Sequence, residues 1–176
     1  MNKAIFLDRD GTITDESCYP NFFVENCKIL DKNISKVLKN LKQAWYLIVI
    51  ITNQAWIDKW YYTEKDFWDF MKEVERQLEL KFDGIYFCPY HPDYSGEYPC
   101  RKPNNWMILQ AQKDLNIDLN KSWMIWDSEK DIIAWKKSWC KTILYNSKNL
   151  KNLNMNPDFI ATSWEEIKNF ILNNKI

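Results

Sequence analysis

Apolar residues along the 176-residue chain fall into short runs separated by helical stripes. Residues 3–8 form an apolar run that ends in a carboxylate, as a buried parallel strand does. Residues 46–52 carry the strongest strand signal, β-branched and apolar on both faces. Further strands are predicted at 84–88, 122–126, 141–145 and 158–161. Between the first two runs, Ile34, Val37, Leu38 and Leu41 recur at helical spacing. Phe67, Phe70, Met71, Val74 and Leu78 make one stripe of a longer helix, which Thr63 and Asp66 are spaced to cap. Ser163 and Glu166 form the same signature for the last helix, and two more helices are predicted over 106–115 and from Ser128 onward. Residues 89–105, with Pro89, Pro92, Pro99 and Pro103, read as a polar loop, and 148–156 as a solvated one. Strands alternating with helices predict an α/β fold of three layers, with a mainly parallel central sheet covered on both faces. No linker or repeat divides residues 1–176, so a single domain is expected.

In such sheets the site lies at the carboxyl ends of the strands. The polar residues that end the predicted strands are Asp8, Thr52 with Asn53, Cys88, and Asp127.

Composition narrows the partners. Lys and Arg number 24 and Asp and Glu number 24, so the formal net charge is zero. Polynucleotide binding needs excess positive charge to displace counterions, so no nucleic-acid partner is expected. The longest apolar runs are too short to span a bilayer, and Asp8 and Asp10 interrupt the N-terminal apolar stretch before a signal peptide could form. A cytoplasmic protein without a membrane partner is expected, with a monomer as the default state. The five cysteines are odd in number and scattered, which favours reduced thiols with a metal role left open for some.

Four motifs follow predicted strands or the polar loop in a fixed order. They are Asp8-Arg-Asp-Gly-Thr12, Thr52-Asn53, Arg101-Lys-Pro103 and Asp127-Ser-Glu-Lys-Asp131. Together they resemble the haloacid-dehalogenase-like (HAD) phosphohydrolases. The resemblance runs from about residue 3 to residue 145 and is closest to the subfamily that holds the D-glycero-D-manno-heptose 1,7-bisphosphate and histidinol-phosphate phosphatases. It implies a Rossmann-like HAD fold, and no long insertion after Thr12 or Gln54 supplies a separate cap domain.

The resemblance implies a role for each residue. Asp8 is the nucleophile that forms an aspartyl-phosphate, and Asp10 is the general acid/base. Thr52 and Lys102 hold phosphoryl oxygens, Asn53 neighbours them, and Arg101 offers a bidentate fork to substrate. Magnesium is expected on the Asp8 carboxylate, the Asp10 main-chain carbonyl and Asp127, all hard oxygen donors. Asp131 is read either as an orienting residue behind Asp127 or as a helix cap. The subfamily often carries a zinc loop, and here Cys88 and Cys100 match its first and last ligands. Tyr90 and Tyr98 stand where the other two belong, with His91 as a neighbouring third donor. Structural zinc wants four N/S ligands, so zinc is not expected, and Tyr90 is expected to pack against Tyr98.

The leading expectation is a Mg²⁺-dependent phosphomonoesterase acting on a sugar bisphosphate. Histidinol phosphate is the alternative substrate, and a non-catalytic HAD-fold binding protein the alternative class.

Two composition values are abnormal. Glycine numbers 3, where about 12 would be average, and tryptophan numbers 10. Aligned by motif, Trp45, Trp56, Trp60, Trp106, Trp126, Trp135 and Trp139 stand where the subfamily has glycine. Trp45 and Trp139 sit between a helix and the next strand, where a left-handed glycine is favoured. Trp68, Trp123 and Trp164 fall at ordinary packing positions. The expectation is that the seven are glycines whose UGA codons have been read as tryptophan.

Overall fold

The computed structural model describes residues 1–16, 23–127, 140–145 and 157–174. Six parallel strands form one sheet in the order β3-β2-β1-β4-β5-β6. They are β1 (Lys3–Leu7), β2 (Tyr46–Asn53), β3 (Gly84–Cys88), β4 (Trp123–Trp126), β5 (Lys141–Tyr145) and β6 (Phe159–Ala161). The described helices are α1 (Ile34–Gln43), α2 (Glu64–Leu78), α3 (Pro92–Ser95), α4 (Trp106–Leu115) and α5 (Trp164–Asn173).

The sheet buries both faces, which is why β1 and β2 are continuous apolar runs rather than alternating ones. On one face Ile5, Leu7, Ile48 and Ile50 pack against the stripes of α1, α2 and α5. On the other, Ala4, Phe6, Val49 and Ile51 pack against Met107, Ile108 and Ala111 of α4. The three layers expected from the alternation are therefore present.

Helix ends follow their residues. The Thr63 hydroxyl accepts from the Asp66 N–H, and the Asp66 carboxylate accepts in return from the Thr63 N–H. At α5 the Ser163 hydroxyl accepts from the Glu166 N–H, but the Glu166 carboxylate reaches back to Thr162 instead of closing the box on Ser163. The short α3 lies inside the segment read as loop. His91 caps it, its Nδ1 accepting from the Asp93 N–H, and Pro92 opens it without needing a donor. The helix expected from Ser128 lies outside the described residues, as do Cys18, Asp131, Trp135 and Trp139. Among the described residues no helix is long and apolar enough to cross a membrane.

The strand order reverses direction at β1, whose neighbours are β2 and β4. Leu7 pairs with Ile50 on one side and Ile125 on the other, so Asp8, Thr52 and Asp127 leave the sheet at the same edge. A crevice opens at such a switch point because the connections on either side turn to opposite faces.

Trp45, which follows the C-cap Ala44 of α1, has φ 65° and is 86% exposed, and Trp60 has φ 63° and is 90% exposed. Both indoles stand in solvent on left-handed backbone.

Thr63→Ala removes the half of the α2 capping box made by the hydroxyl, leaving the backbone N–H to Asp66, and is expected to cost about 1 kcal/mol, read as a lower denaturant midpoint at unchanged slope.

Candidate active site

Asp8 is the first residue past β1, buried, with its N–H donating to the Ile125 carbonyl of β4. One carboxylate oxygen, Oδ1, accepts from the Arg9 N–H at 2.8 Å. The other, Oδ2, lies 2.9 Å from the Lys102 Nζ, whose side chain is 3% exposed. A buried ion pair persists when its remaining polar atoms are also satisfied. Here Lys102 Nζ also donates to the Ile51 carbonyl, and its main chain is clamped by Asn53. The Asn53 Oδ1 accepts from the Lys102 N–H and its Nδ2 donates to the Lys102 carbonyl. Asn53 thus holds the residue that carries the ammonium. The Lys102–Pro103 peptide is cis.

Gly11 has φ 74°, a conformation glycine adopts without Cβ strain. A Cβ there would fall 2.1 Å from Asp127 Oδ2, so the Asp127 carboxylate rests directly against the loop that follows Asp8. Hydrogen bonds from the Gly11 N–H to the Thr14 carbonyl and from the Ile13 N–H to the Arg9 carbonyl keep that loop tight. Thr12 is buried, and its hydroxyl has no partner among the described residues.

Asp10 turns away from Lys102. Its Oδ1 accepts from Arg9 Nε at 2.7 Å and Thr14 Oγ1 at 3.3 Å, and its Oδ2 from Arg9 Nη2 at 3.0 Å and Gln54 Nε2 at 2.9 Å. The Gln54 amide also donates to Thr52 Oγ1 at 2.7 Å and accepts from the Tyr62 hydroxyl. Arg9 is fully buried, its guanidinium over the rings of Phe67 and Phe70 of α2. Burial works against its charge, but the Asp10 carboxylate together with Tyr62 and Asp8 offsets this and leaves the Arg9 pKa above its usual value.

Arg9, Gln54 and Tyr62 carry no assigned role from the sequence. A charged side chain at the apolar end of a strand was the available signal for Arg9. Nothing in the local pattern marks Tyr62, which reaches the site only through the turn at residues 55–60.

In the loop that matches the subfamily's zinc loop, the two cysteines are joined to each other. Cys88 and Cys100 form a disulfide, which corrects the expectation of reduced thiols at this pair. The two Cα atoms are 5.4 Å apart because Cys88 ends β3 and the loop returns to it. The third candidate donor, His91, uses its Nδ1 in the α3 cap. Tyr90 and Tyr98 stack at 3.6 Å between ring centroids, as the expectation of mutual packing had it. Arg101 Nη1 donates to the Tyr90 carbonyl, placing its guanidinium beside this stack. Asp58 joins the loop to the turn after β2, accepting from the His91 N–H at 2.8 Å and the Ser95 hydroxyl at 2.6 Å. The Ser95 hydroxyl and then the His91 N–H hold the Asp58 carboxyl below its ordinary pKa. Buried Cys140 is a thiol pushed up to about 12 by desolvation.

A family profile described as polynucleotide kinase 3 phosphatase matches residues 3–151. The D-glycero-beta-D-manno-heptose-1,7-bisphosphate 7-phosphatase of Pasteurella multocida is 41% identical over 145 residues, 77% of each chain. The chain belongs to the heptose-bisphosphate phosphatase branch of this family. Another heptose-bisphosphate phosphatase, from Helicobacter pylori (strain J99), is 38% identical over 172 residues, covering 96% of this chain and 92% of its own. A crystal structure of the D,D-heptose 1,7-bisphosphate phosphatase of B. bronchiseptica, complexed with magnesium and phosphate, superposes with a TM-score of 0.86. It is 22% identical and covers 97% of this chain and 98% of its own, which establishes the shared HAD fold. As a member of the heptose-bisphosphate phosphatases, the protein is a phosphatase.

Gly11→Ala is expected to abolish turnover, because the new Cβ must displace the Asp127 carboxylate. It should also cost about 1–2 kcal/mol of stability from the left-handed backbone, read by denaturant titration.

Proposed function

We propose that the protein removes the 7-phosphate of D-glycero-D-manno-heptose 1,7-bisphosphate through an aspartyl-phosphate on Asp8. The observation that carries this reading is the Lys102 ammonium 2.9 Å from the Asp8 carboxylate, at the sheet edge that also holds Asp127. A phosphomonoester dianion repels a carboxylate nucleophile, so attack needs a positive group that neutralises both. In this reading Lys102 draws in the phosphoryl oxygens, and the Thr52 hydroxyl, buried two residues past the Leu7–Ile50 register, bonds them.

In the first half-reaction an Asp8 oxygen attacks phosphorus in line while the bond to the sugar oxygen breaks. That oxygen takes its proton from Asp10. In the second, Asp10 removes a proton from water, the water oxygen bonds to phosphorus, and the acyl-phosphate bond breaks to return Asp8 and inorganic phosphate.

The donor set fits a hard divalent cation. Asp8 and Asp127 supply carboxylate oxygens and Asp10 a main-chain carbonyl, while Gly11 lets the loop approach Asp127 closely. Among the described residues no group of three His, Cys, Asp or Glu side chains forms a cage, and two carboxylates with a carbonyl need none. When bound there, Mg²⁺ neutralises charge between nucleophile and phosphate.

The sugar substrate is supported by the relatives' identity, and the balanced charge of the chain favours a small metabolite over a polynucleotide. Arg101, beside the Tyr90–Tyr98 stack, is the residue we assign to reading the part of the substrate beyond the transferred phosphate.

The test is phosphate release from heptose bisphosphate, histidinol phosphate and a 3′-phosphorylated oligonucleotide. Heptose bisphosphate should turn over fastest, and preference for either of the others overturns the substrate assignment. Asp8→Asn should reduce turnover to background with the fold intact by circular dichroism, and wild-type rates would exclude Asp8 as nucleophile. EDTA should stop the reaction and added Mg²⁺ restore it. Elemental analysis of the purified protein should find well under one zinc per chain, and stoichiometric zinc would mean that Cys88 and Cys100 bind metal as thiolates.

A further inference from the structure

We propose that Gln54 and Arg9 are positioning residues that fix the carboxylate of Asp10 for proton transfer. This rests on the phosphatase reading above. A carboxylate offers about four lone-pair directions, and here four donors occupy them, two on each oxygen. Arg9 supplies a planar fork that sets the plane of the carboxylate, and the rings of Phe67 and Phe70 hold that fork from below.

Gln54 supplies the link between the proton-transfer group and the phosphate-binding end of β2. Its side-chain nitrogen donates to both Asp10 Oδ2 and Thr52 Oγ1. The amide can stand only one way round, because the reverse would set its oxygen against the Asp10 carboxylate. The Tyr62 hydroxyl therefore donates to Gln54 Oε1 and locks that orientation. The Gln54 main chain is fixed too, its N–H donating to the Cys88 carbonyl at 2.7 Å, and the residue is 1% exposed. When Asp10 carries the proton, one donor must yield. The Thr14 hydroxyl is the one able to turn away, since the Arg9 carbonyl already lies within its reach at 3.3 Å.

A positioned acid matters in proportion to how poor the leaving group is. The experiment compares kcat/KM on heptose bisphosphate, which leaves as an alkoxide, with that on 4-nitrophenyl phosphate, whose phenolate leaves without a proton. Gln54→Met keeps the volume and removes both donors. It should lose about tenfold or more on the sugar phosphate and distinctly less on the aryl phosphate, with the acid-dependent limb of the pH–rate profile displaced. Tyr62→Phe should show the same pattern more weakly, and it carries the test if Gln54→Met fails to fold. Equal losses on both substrates with an unmoved pH profile would overturn the proposal. Absence of wild-type activity on either substrate would instead overturn the phosphatase reading.

A separate observation carries a second inference. We infer that positions 45 and 60 are glycine in the natural protein, encoded by UGA. Left-handed backbone strains any residue with a Cβ, and a bulky one tolerates it only against compensating contacts. Trp45 and Trp60 are both left-handed and both almost wholly in solvent, so burial returns nothing for the strain. The other two such residues, Glu79 and Asn116, are accounted for. Glu79 pairs with Lys39 at 2.8 Å, and asparagine enters this region readily. Among the described residues every other tryptophan, Trp56, Trp106 and Trp126 as well as Trp68, Trp123 and Trp164, has negative φ, so the backbone argument applies to 45 and 60 alone. Trp126 is buried, and its indole N–H has no partner among the described residues, directly before Asp127.

Codons 45 and 60 should read UGA, and 68, 123 and 164 should read UGG. UGG at both 45 and 60 overturns the inference. In the protein made as written, Trp45→Gly and Trp60→Gly should each raise the melting temperature by about 2–4 °C, whereas Trp164→Gly should lower it sharply. No gain at either left-handed site would also overturn it.

Discussion

Burying a carboxylate and an ammonium side by side is unfavourable unless each keeps its hydrogen bonds, and the pairing of Asp8 with Lys102 organises the rest of this molecule. Asp8 comes from the central strand, where the sheet itself fixes its backbone. Lys102 comes from a loop 94 positions later and must be brought in. Two main-chain bonds to Asn53, the disulfide from Cys100 back to the end of β3, and the Arg101 contact with Tyr90 all fall within three residues of Lys102 or on it. Much of the polar construction between β2 and α4 serves to deliver one ammonium to one carboxylate.

The second carboxylate of the motif faces the opposite problem. Asp10 pairs with the Arg9 guanidinium instead of the Lys102 ammonium. The loop geometry at Gly11 sends it to the other side, over the buried guanidinium of Arg9. Two acids separated by one residue thus acquire different surroundings, one facing an ammonium and the other a cradle of donors. Different environments for two like groups are how one site performs both nucleophilic and acid/base work.

The order of strands and helices was legible because β1 and β2 are buried on both faces and read as unbroken apolar runs. The cap at Thr63 was legible because its partners are three residues apart. What escaped was whatever depended on contact across sequence distance. Gln54 meets Asp10 over 44 positions and Asp58 meets Ser95 over 37, and no local spacing records either contact. The α3 turn was missed because four residues carry no periodicity and proline-rich segments read as loop. The cysteines misled because an odd count says nothing about which two the sheet brings to bonding distance.

The bonds from Asp58 to the His91 N–H and the Ser95 hydroxyl tie the turn after β2 to the loop after β3. Such bridged segments act as one rigid wall. A homologue that lengthens either segment must re-engineer the other, so divergence in substrate choice along this lineage should arrive as paired changes rather than single insertions.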